Sequence, residues 1–319
     1  MKVSIVGSGF GERVMALVYR HVGFEVVAVA SPRDTEAVAR ALAADVDLVS
    51  IHSPPFLHHE HVMRAFDQGR RAVLCDKPFG RDAAEARAMR DRARELGALN
   101  FLNFEFRQHP SRAKLTELVR DGRIGALQHV SWTFIGNGLR QQKHRWLFDK
   151  DLAGGWIGAW GSHAIDGLRC LFESEVADCG GVSRIETTSR PDREGVVRPS
   201  TAEDAFSAWF VMGNGRTATI DTAFSTPVAM PTRIVAMGSE GSLELLDDLT
   251  LTLRRPGGKE EVFTFPAPSA DPHEPGLVPW LSAVKAAVAS RTQITPSFDD
   301  GLAVAVAMDR LRATLVRAG

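Results

Sequence analysis

From Val3 to Phe106 the chain alternates short continuous apolar runs with longer segments of helical spacing. Val3–Val6, Val26–Ala30, Asp47–Ile51, Ala72–Cys75 and Leu99–Phe106 read as strands, and the continuous apolar run Val26–Ala30 as one buried on both faces. Between them, Arg13–His21, Asp34–Ala43, His58–Phe66 and Asp82–Leu96 carry helix periodicity, and Gly69 supplies a stop signal. Repeated β-α-β units with short connections predict an α/β fold with a parallel, doubly wound sheet.

The pattern changes after Pro110. Leu127–Phe134, Ala205–Val211, Thr217–Thr222, Arg233–Met237, Ser242–Leu246 and Thr250–Arg254 alternate, with Gly213-Asn214-Gly215 and Pro256-Gly257-Gly258 as turns. Helix-like segments stand at Ile157–Phe172, Val278–Ala289 and Leu302–Val316, and polar Ser189–Ser200 reads as a surface loop. The expectation is two domains, residues 1–115 and residues 116–319, the second an α+β domain with a largely antiparallel open sheet.

Composition narrows the class. With 44% hydrophobic and 24% charged residues the chain is a folded protein rather than a disordered one. Lys and Arg total 38 against 39 Asp and Glu, so no basic excess points to nucleic acid or an anionic membrane. No apolar run approaches the roughly 20 residues of a membrane helix, and glycines interrupt Met1–Gly11 too early for a signal peptide. Cys75, Cys170 and Cys179 have no CxxC spacing and cannot all pair, which favours a reducing, cytoplasmic setting. His58, His59 and His61 lack the HExxH spacing of a zinc helix, so no metal is expected, and His59 and His61 read as solvated.

Gly7-Ser8-Gly9 follows the first strand directly, where a dinucleotide-binding turn begins. The first glycine permits the tight turn and the second lets the backbone approach a pyrophosphate. Glu12 occupies the third fingerprint position, with Gly11 one place early. The second strand ends in Ala30-Ser31-Pro32-Arg33, without the acid that would bind a ribose 2′-hydroxyl. A hydroxyl and a guanidinium suit a 2′-phosphate, so NADP is preferred and NAD is the alternative.

Taken together, the motifs resemble the glucose–fructose oxidoreductase, inositol dehydrogenase and rhizopine-catabolism (Gfo/Idh/MocA) family. They are Val6-Gly7-Ser8-Gly9-Phe10-Gly11, His52-Ser53-Pro54-Pro55-Phe56-Leu57-His58, Asp76-Lys77-Pro78, Asn103-Phe104-Glu105-Phe106-Arg107 with Pro110, and Gly154-Gly155 leading to Gly161-Ser162-His163-Ala164-Ile165-Asp166. Thr201-Ala202-Glu203-Asp204 and Gly238-Ser239-Glu240-Gly241-Ser242 fall where the family has similar turns. The resemblance implies a Rossmann domain, a second domain whose open sheet packs in homo-oligomers, and reversible oxidation of a sugar, cyclitol or related hydroxyl. It also places Ser53, Pro54, Pro55, His58 and Asp76 with Gly7, Ser8, Gly9, Phe10, Gly11, Ser31 and Arg33 along the cofactor. Lys77 is implied to touch both cofactor and substrate, and His163 to be the catalytic histidine. Asp76 replaces the family's usual Glu, and Ala159 stands where many members have an Asp.

Oxidising a carbinol requires a base for the hydroxyl proton. An imidazole, with an ordinary pKa of about 6.5, suits that task, and capping by Ser162 at a helix start would favour its neutral form. Lys77 would stabilise a developing alkoxide or relay the proton. Asp166 shares a helical face with His163 and is either its orienter or a structural charge. Glu105 and Arg107 are candidate substrate groups, since they follow a strand's C-terminal end; Arg107 would contact substrate or pair with Glu105. Trp146 and Trp160 are candidate platforms for a sugar ring, with core packing as the alternative. Cys75 reads as a small buried hydrophobe. The expected protein is an NAD(P)-dependent dehydrogenase taking a sugar, cyclitol or keto-sugar. A redox-neutral NAD-assisted lyase or glycosidase and a non-catalytic nucleotide-binding regulator are the alternatives.

Overall fold

The computed structural model describes residues 1–268 and 271–318. Two compact units emerge: Met1–His109 with Pro268–Val306, and Pro110–Ala267 with Ala307–Gly319.

In the first unit, strands β1 (Lys2–Val6), β2 (Glu25–Ala30), β3 (Leu48–Ile51), β4 (Ala72–Cys75) and β5 (Leu99–Leu102) form one sheet in the order β2-β1-β3-β4-β5. Every neighbouring pair is parallel. β3 and β4 are buried at every residue, Ser50 included, whereas β2, expected to be buried on both faces, is partly exposed because it lies at the sheet edge. Helices α1 (Ala16–His21), α2 (Thr35–Ala43), α3 (His58–Asp67) and α4 (Ala83–Glu95) make the connections. Asp34 and Asp82 cap α2 and α4, each accepting a backbone N–H three residues on at 2.9 Å. The strand order reverses at β1, which creates a crevice outside the strand C-terminal ends beside it. β5 stops at Leu102 instead of running to Phe106, because its partner β4 ends at Cys75 and Glu105–Gln108 turn into a 3₁₀ helix.

The second unit carries α5 (Pro110–Arg120), β6 (Leu127–Ile135), α6 (Ser162–Phe172), β7 (Val176–Arg184), β8 (Ser189–Pro191), β9 (Val197–Pro199) and β10 (Ala205–Met212). β11 (Thr217–Ala223), β12 (Arg233–Gly238), β13 (Ser242–Leu246), β14 (Thr250–Arg254), β15 (Glu261–Thr264) and β16 (Leu315–Arg317) follow. Nine strands form a sheet in the order β15-β14-β13-β12-β6-β11-β10-β7-β16. It is parallel at β6–β11 and β7–β16 and antiparallel elsewhere. Alternation sends Val130, Trp132, Ile220 and Ala236 into the core and Ser131, Thr219 and Val235 outward. α6 lies close over β6, where a Cβ on Gly167 would stand 2.9 Å from the Trp132 ring. β7 escapes the sequence pattern because Gly180-Gly181 breaks its alternation; a Cβ on Gly181 would collide with the Ser207 carbonyl.

The expected Ser189–Ser200 loop is instead the hairpin β8–β9, and it buries Arg190. Its guanidinium lies 4.0 Å over the Phe148 ring, pairs with Asp204 at 3.3 Å and donates to Ser225 Oγ at 3.0 Å and to the Leu139 carbonyl. A polar composition read as loop conceals a buried charge supplied with partners.

The last helices, α7 (Glu274–Ser290) and α8 (Phe298–Thr314), shift the expected division. Pro268–Val306 groups with the first unit, whereas the sequence assigns everything after residue 115 to the second. The reason is a single core: Leu277, Trp280, Leu281 and Val284 of α7 pack with Val3, Ile5, Tyr19 and Phe101. Trp280→Ala is expected to lower stability by about 3–5 kcal/mol in denaturant titration, the range for emptying a large buried aromatic site. Leu17→Ala, at a position 61% exposed on α1, stays within about 0.5 kcal/mol.

Candidate active site

The glycine turn after β1 divides its labour by position. Gly7 has φ +153°, and a Cβ there would stand 2.6 Å from the His52 carbonyl oxygen, so the β1 and β3 ends approach only through a glycine. Gly9 has no neighbour within 4 Å of its Cβ position, which leaves its backbone open to a ligand. A Cβ on Gly11 would meet Ile5 and His52 at 3.1 Å. Gly11 thus makes the helix–strand approach usually made one residue later, where Glu12 is exposed. The early glycine coincides with a π turn, Gly11–Met15, that leads into α1. Phe10 lies edge-on to His273 at 5.1 Å.

At the end of β2, Ser8 Oγ donates to Ser31 Oγ at 3.3 Å, and Ser31 Oγ accepts the Arg33 N–H at 3.4 Å. Arg33 is exposed. The nearest acid, Asp34, is committed to capping α2.

The third strand's end is held by histidines. His58 lies buried between two carbonyls, Nε2 2.7 Å from Ser53 O and Nδ1 3.0 Å from Pro78 O, so it pins the Ser53-Pro54-Pro55 turn to the Lys77–Pro78 turn. Burial lowers the pKa of His58 despite the opposing charge of Asp76. His61, expected in solvent, is buried with Nδ1 2.9 Å from Ser53 Oγ, and burial brings its pKa down to about 4. The cause of the difference is α3, which turns His61 inward beside Val62 and Ala65. His52 Nδ1 stands 3.1 Å from Asp76 Oδ2, and Asp76 Oδ1 accepts the Lys77 N–H at 3.0 Å and an Asn103 amide N–H at 3.2 Å. Lys77 is half-buried. The Asn103 carbonyl oxygen is buried without a hydrogen-bond partner among the described residues. An open Gly9, paired hydroxyls at Ser8 and Ser31 and an unused buried acceptor at Asn103 fit a dinucleotide along this edge.

Two expected substrate groups are engaged within the first unit. Glu105 is 1% exposed, with Oε1 2.6 Å from His273 Nδ1, and the His273 ring stacks on Phe106 at 5.2 Å. Arg107 pairs with Asp300 at 2.8 Å. His273 was not legible in the sequence, since it precedes α7 outside any motif. Cys75 is buried, and burial raises its thiol pKa.

On the second unit, a π turn, Ile157–Gly161, runs straight into α6, so Ser162 does not cap a helix start. Its hydroxyl donates back to the Gly158 carbonyl at 2.7 Å, and His163 lies one turn inside a continuous helical segment. The start of that segment is held by Glu203, whose Oε1 accepts the Ile157 N–H at 3.1 Å and whose carbonyl accepts the Trp156 N–H at 2.8 Å. Gly155, at φ +111°, leaves room for the Glu203 carboxylate. His163 is 4% exposed, and Asp166 pairs with Arg169 at 3.4 Å. Trp160 is 6% exposed in an aromatic core, edge-on to Trp132 at 5.6 Å and parallel to Trp156 at 6.0 Å. Trp146 is half-buried. Among the described residues no three His, Cys, Asp or Glu side chains are grouped to hold a metal ion.

Comparison with known proteins follows this division. Residues 1–104 match an oxidoreductase family with an NAD-binding Rossmann fold, and residues 113–244 match the Gfo/Idh/MocA C-terminal domain. An oxidoreductase of Synechocystis sp. is 29% identical over 228 residues, 64% of this chain and 60% of that protein. Levoglucosan dehydrogenase of Pseudarthrobacter phenanthrenivorans is 24% identical over 98% of this chain and 95% of its own length. A solved levoglucosan dehydrogenase in complex with NADH and levoglucosan has the same fold, with a TM-score of 0.85 at 20% identity over 98% of this chain and 96% of that one.

Gly9→Ala is expected to leave the unfolding midpoint within about 1 kcal/mol of the original, because the methyl enters open space, while weakening dinucleotide binding in a fluorescence titration. Gly7→Ala loses both. His61, neutral in the folded state, adds a pH term of definite sign. Stability is full above the unfolded histidine value of about 6.5 and is lost as pH falls toward 4, because the unfolded chain takes up the proton first. The urea midpoint followed across that range checks it, and His61→Gln flattens the slope.

Proposed function

The chain belongs to the Gfo/Idh/MocA oxidoreductase family, and on that footing we propose that it interconverts a CH–OH group and the corresponding ketone or lactone of a sugar, cyclitol or related polyol. The observation that carries the reading is the glycine turn, open at Gly9, on the same parallel-strand edge that presents Lys77. Bound nicotinamide supplies the hydride donor or acceptor. Lys77 stabilises the negative charge that develops on the substrate oxygen, and His163 takes the hydroxyl proton. Trp146, half-buried, offers part of its face to a sugar ring, whereas Trp160 is packed among Trp132, Phe134 and Trp156.

NADP is the preferred cofactor of this proposal. Ser8, Ser31 and Arg33 offer two hydroxyls and a guanidinium, and the neighbouring acid Asp34 is spent on α2. The levoglucosan dehydrogenase complex with NADH supports nicotinamide binding, and the preference for a 2′-phosphate rests on these residues alone. Ala159 favours one second reading: with no carboxylate one turn before His163, transient oxidation in a redox-neutral elimination is the alternative chemistry. Retention of both Lys77 and His163 counts against a purely regulatory role.

A cytoplasmic setting is supported by the buried free thiols of Cys75 and Cys179. Among the described residues no helix is long and apolar enough to cross a membrane. Self-association is assigned to the outward face of the nine-stranded sheet. There Trp209, Val182 and Met237 are 45%, 39% and 38% exposed among serines and threonines.

Lys77→Ala and His163→Ala are each expected to lower kcat by about 100-fold or more while cofactor binding persists in calorimetry. Arg33→Ala should reduce the NADP-over-NAD ratio of kcat/KM by about tenfold, the worth of one charge-assisted contact. Binding of neither dinucleotide by the purified protein overturns the reading. Turnover without net absorbance change at 340 nm, with cofactor retained, selects the redox-neutral alternative. Trp209→Glu is expected to lower the mass measured by light scattering.

A further inference from the structure

Behind the Asp76–Lys77 turn runs a buried polar chain that the proposed chemistry leaves unused. Tyr19 Oη lies 2.8 Å from Ser50 Oγ, Ser50 Oγ lies 2.7 Å from His52 Nε2, and His52 Nδ1 lies 3.1 Å from Asp76 Oδ2. The second carboxylate oxygen accepts the N–H of Lys77 at 3.0 Å and an amide N–H of Asn103 at 3.2 Å. Tyr19, Ser50 and Asn103 are fully buried and His52 is 6% exposed. The members come from α1, from β3 and its end, and from the ends of β4 and β5, so the chain laces the sheet's C-terminal edge together.

Its direction follows from counting protons. The phenol of Tyr19 stays protonated, since burial pushes its pKa up, and Ser50 Oγ is its partner. If Tyr19 donates to Ser50, Ser50 donates to His52 Nε2, and Nδ1–H remains to donate to Asp76. The opposite direction strands the tyrosine proton in an apolar core among Val3, Ile5 and Phe24. Aligned donors of this kind polarise one another toward the terminal acceptor.

We propose that His52 is a positioning residue: donating from Nδ1–H, it locks the Asp76 carboxylate, which fixes the Lys77 backbone and turns the Asn103 amide so that its side-chain carbonyl accepts a donor of the bound nicotinamide cofactor. The proposal rests on Lys77 and the cofactor having the roles given above. Burial opposes ionisation of Asp76, yet the hydrogen bond from His52, together with the charge of Lys77, outweighs it and holds the carboxyl well below its ordinary range. Cys75 and Tyr19 also face this carboxylate, and burial keeps both protonated, so neither competes with it. Removing the imidazole takes away the largest of the effects that oppose burial, leaving the Lys77 charge and two N–H donors, so the Asp76 carboxyl shifts upward toward the working pH range.

His52→Phe keeps a ring but no donor, and His52→Asn restores an N–H near the Nδ1 position. The Phe variant is expected to lose about tenfold or more in kcat and to gain an acid limb absent from the original profile. The Asn variant should recover most of the rate and lack that limb. Equal loss in both variants with an unchanged pH profile means His52 is packing, and overturns the proposal; so does a Phe variant that behaves like the original. A measurement independent of activity is the 15N spectrum of the intact protein. It should show the proton of His52 on Nδ1 with Nε2 as the acceptor, and the reverse tautomer overturns the proposal even if the Phe variant fails to fold. Asn103→Ala should weaken cofactor binding in calorimetry by about tenfold, the worth of one buried hydrogen bond, and unchanged affinity removes Asn103 from the proposal. Lys77→Ala with full turnover overturns the functional reading instead, while the tautomer still decides the role of His52.

Discussion

The first unit depends on one close approach. The His52 carbonyl occupies the space in which any side chain at position 7 would have to stand, so the neighbouring ends of β1 and β3 meet through a glycine. The contact lies where the strand order reverses beside β1, and, two residues on, the backbone is open at Gly9. His52 also joins the turn to its surroundings through its side chain, which reaches toward Ser50 in one direction and Asp76 in the other. Backbone proximity and a buried polar chain therefore share one residue, and hydrogen bonds join the strand ends that carry Lys77 and Asn103.

The return of Pro268–Val306 to the first unit has a comparable physical basis. A five-stranded sheet with short helices leaves apolar surface over β1 and α1, and α7 covers it with Trp280 and three aliphatic side chains. The same return brings His273 against Phe10, Phe106 and Glu105, and Asp300 against Arg107. Glu105 and Arg107, placed by their strand end where substrate groups stand in such folds, are thus spent in this unit on fastening the returning segment.

Legibility differs by kind of residue. Gly7, Gly9 and Gly11 were readable because a turn after a buried strand demands particular backbone freedom at particular offsets. His58 was recognisable within a motif, but its work, bridging the carbonyls of Ser53 and Pro78, joins residues 25 positions apart and has no local signature. His61 and Arg190 looked solvated because polar type is a weak guide where partners arrive from other elements. The helix around His163 was visible from Ile157 to Phe172, while its π turn and the anchoring of its start by Glu203 were not.

The sequence by itself determined the alternation of elements, the parallel and largely antiparallel sheets and the glycine turn. Each of these rests on local periodicity or on a short motif whose chemistry needs fixed spacing. Tertiary structure alone decided where the C-terminal helices belong, which histidines are buried, and that His52, Asp76 and Asn103 form one chain. Those outcomes depend on partners distant in sequence and on burial, which changes what a polar side chain must bond to; no local pattern encodes either.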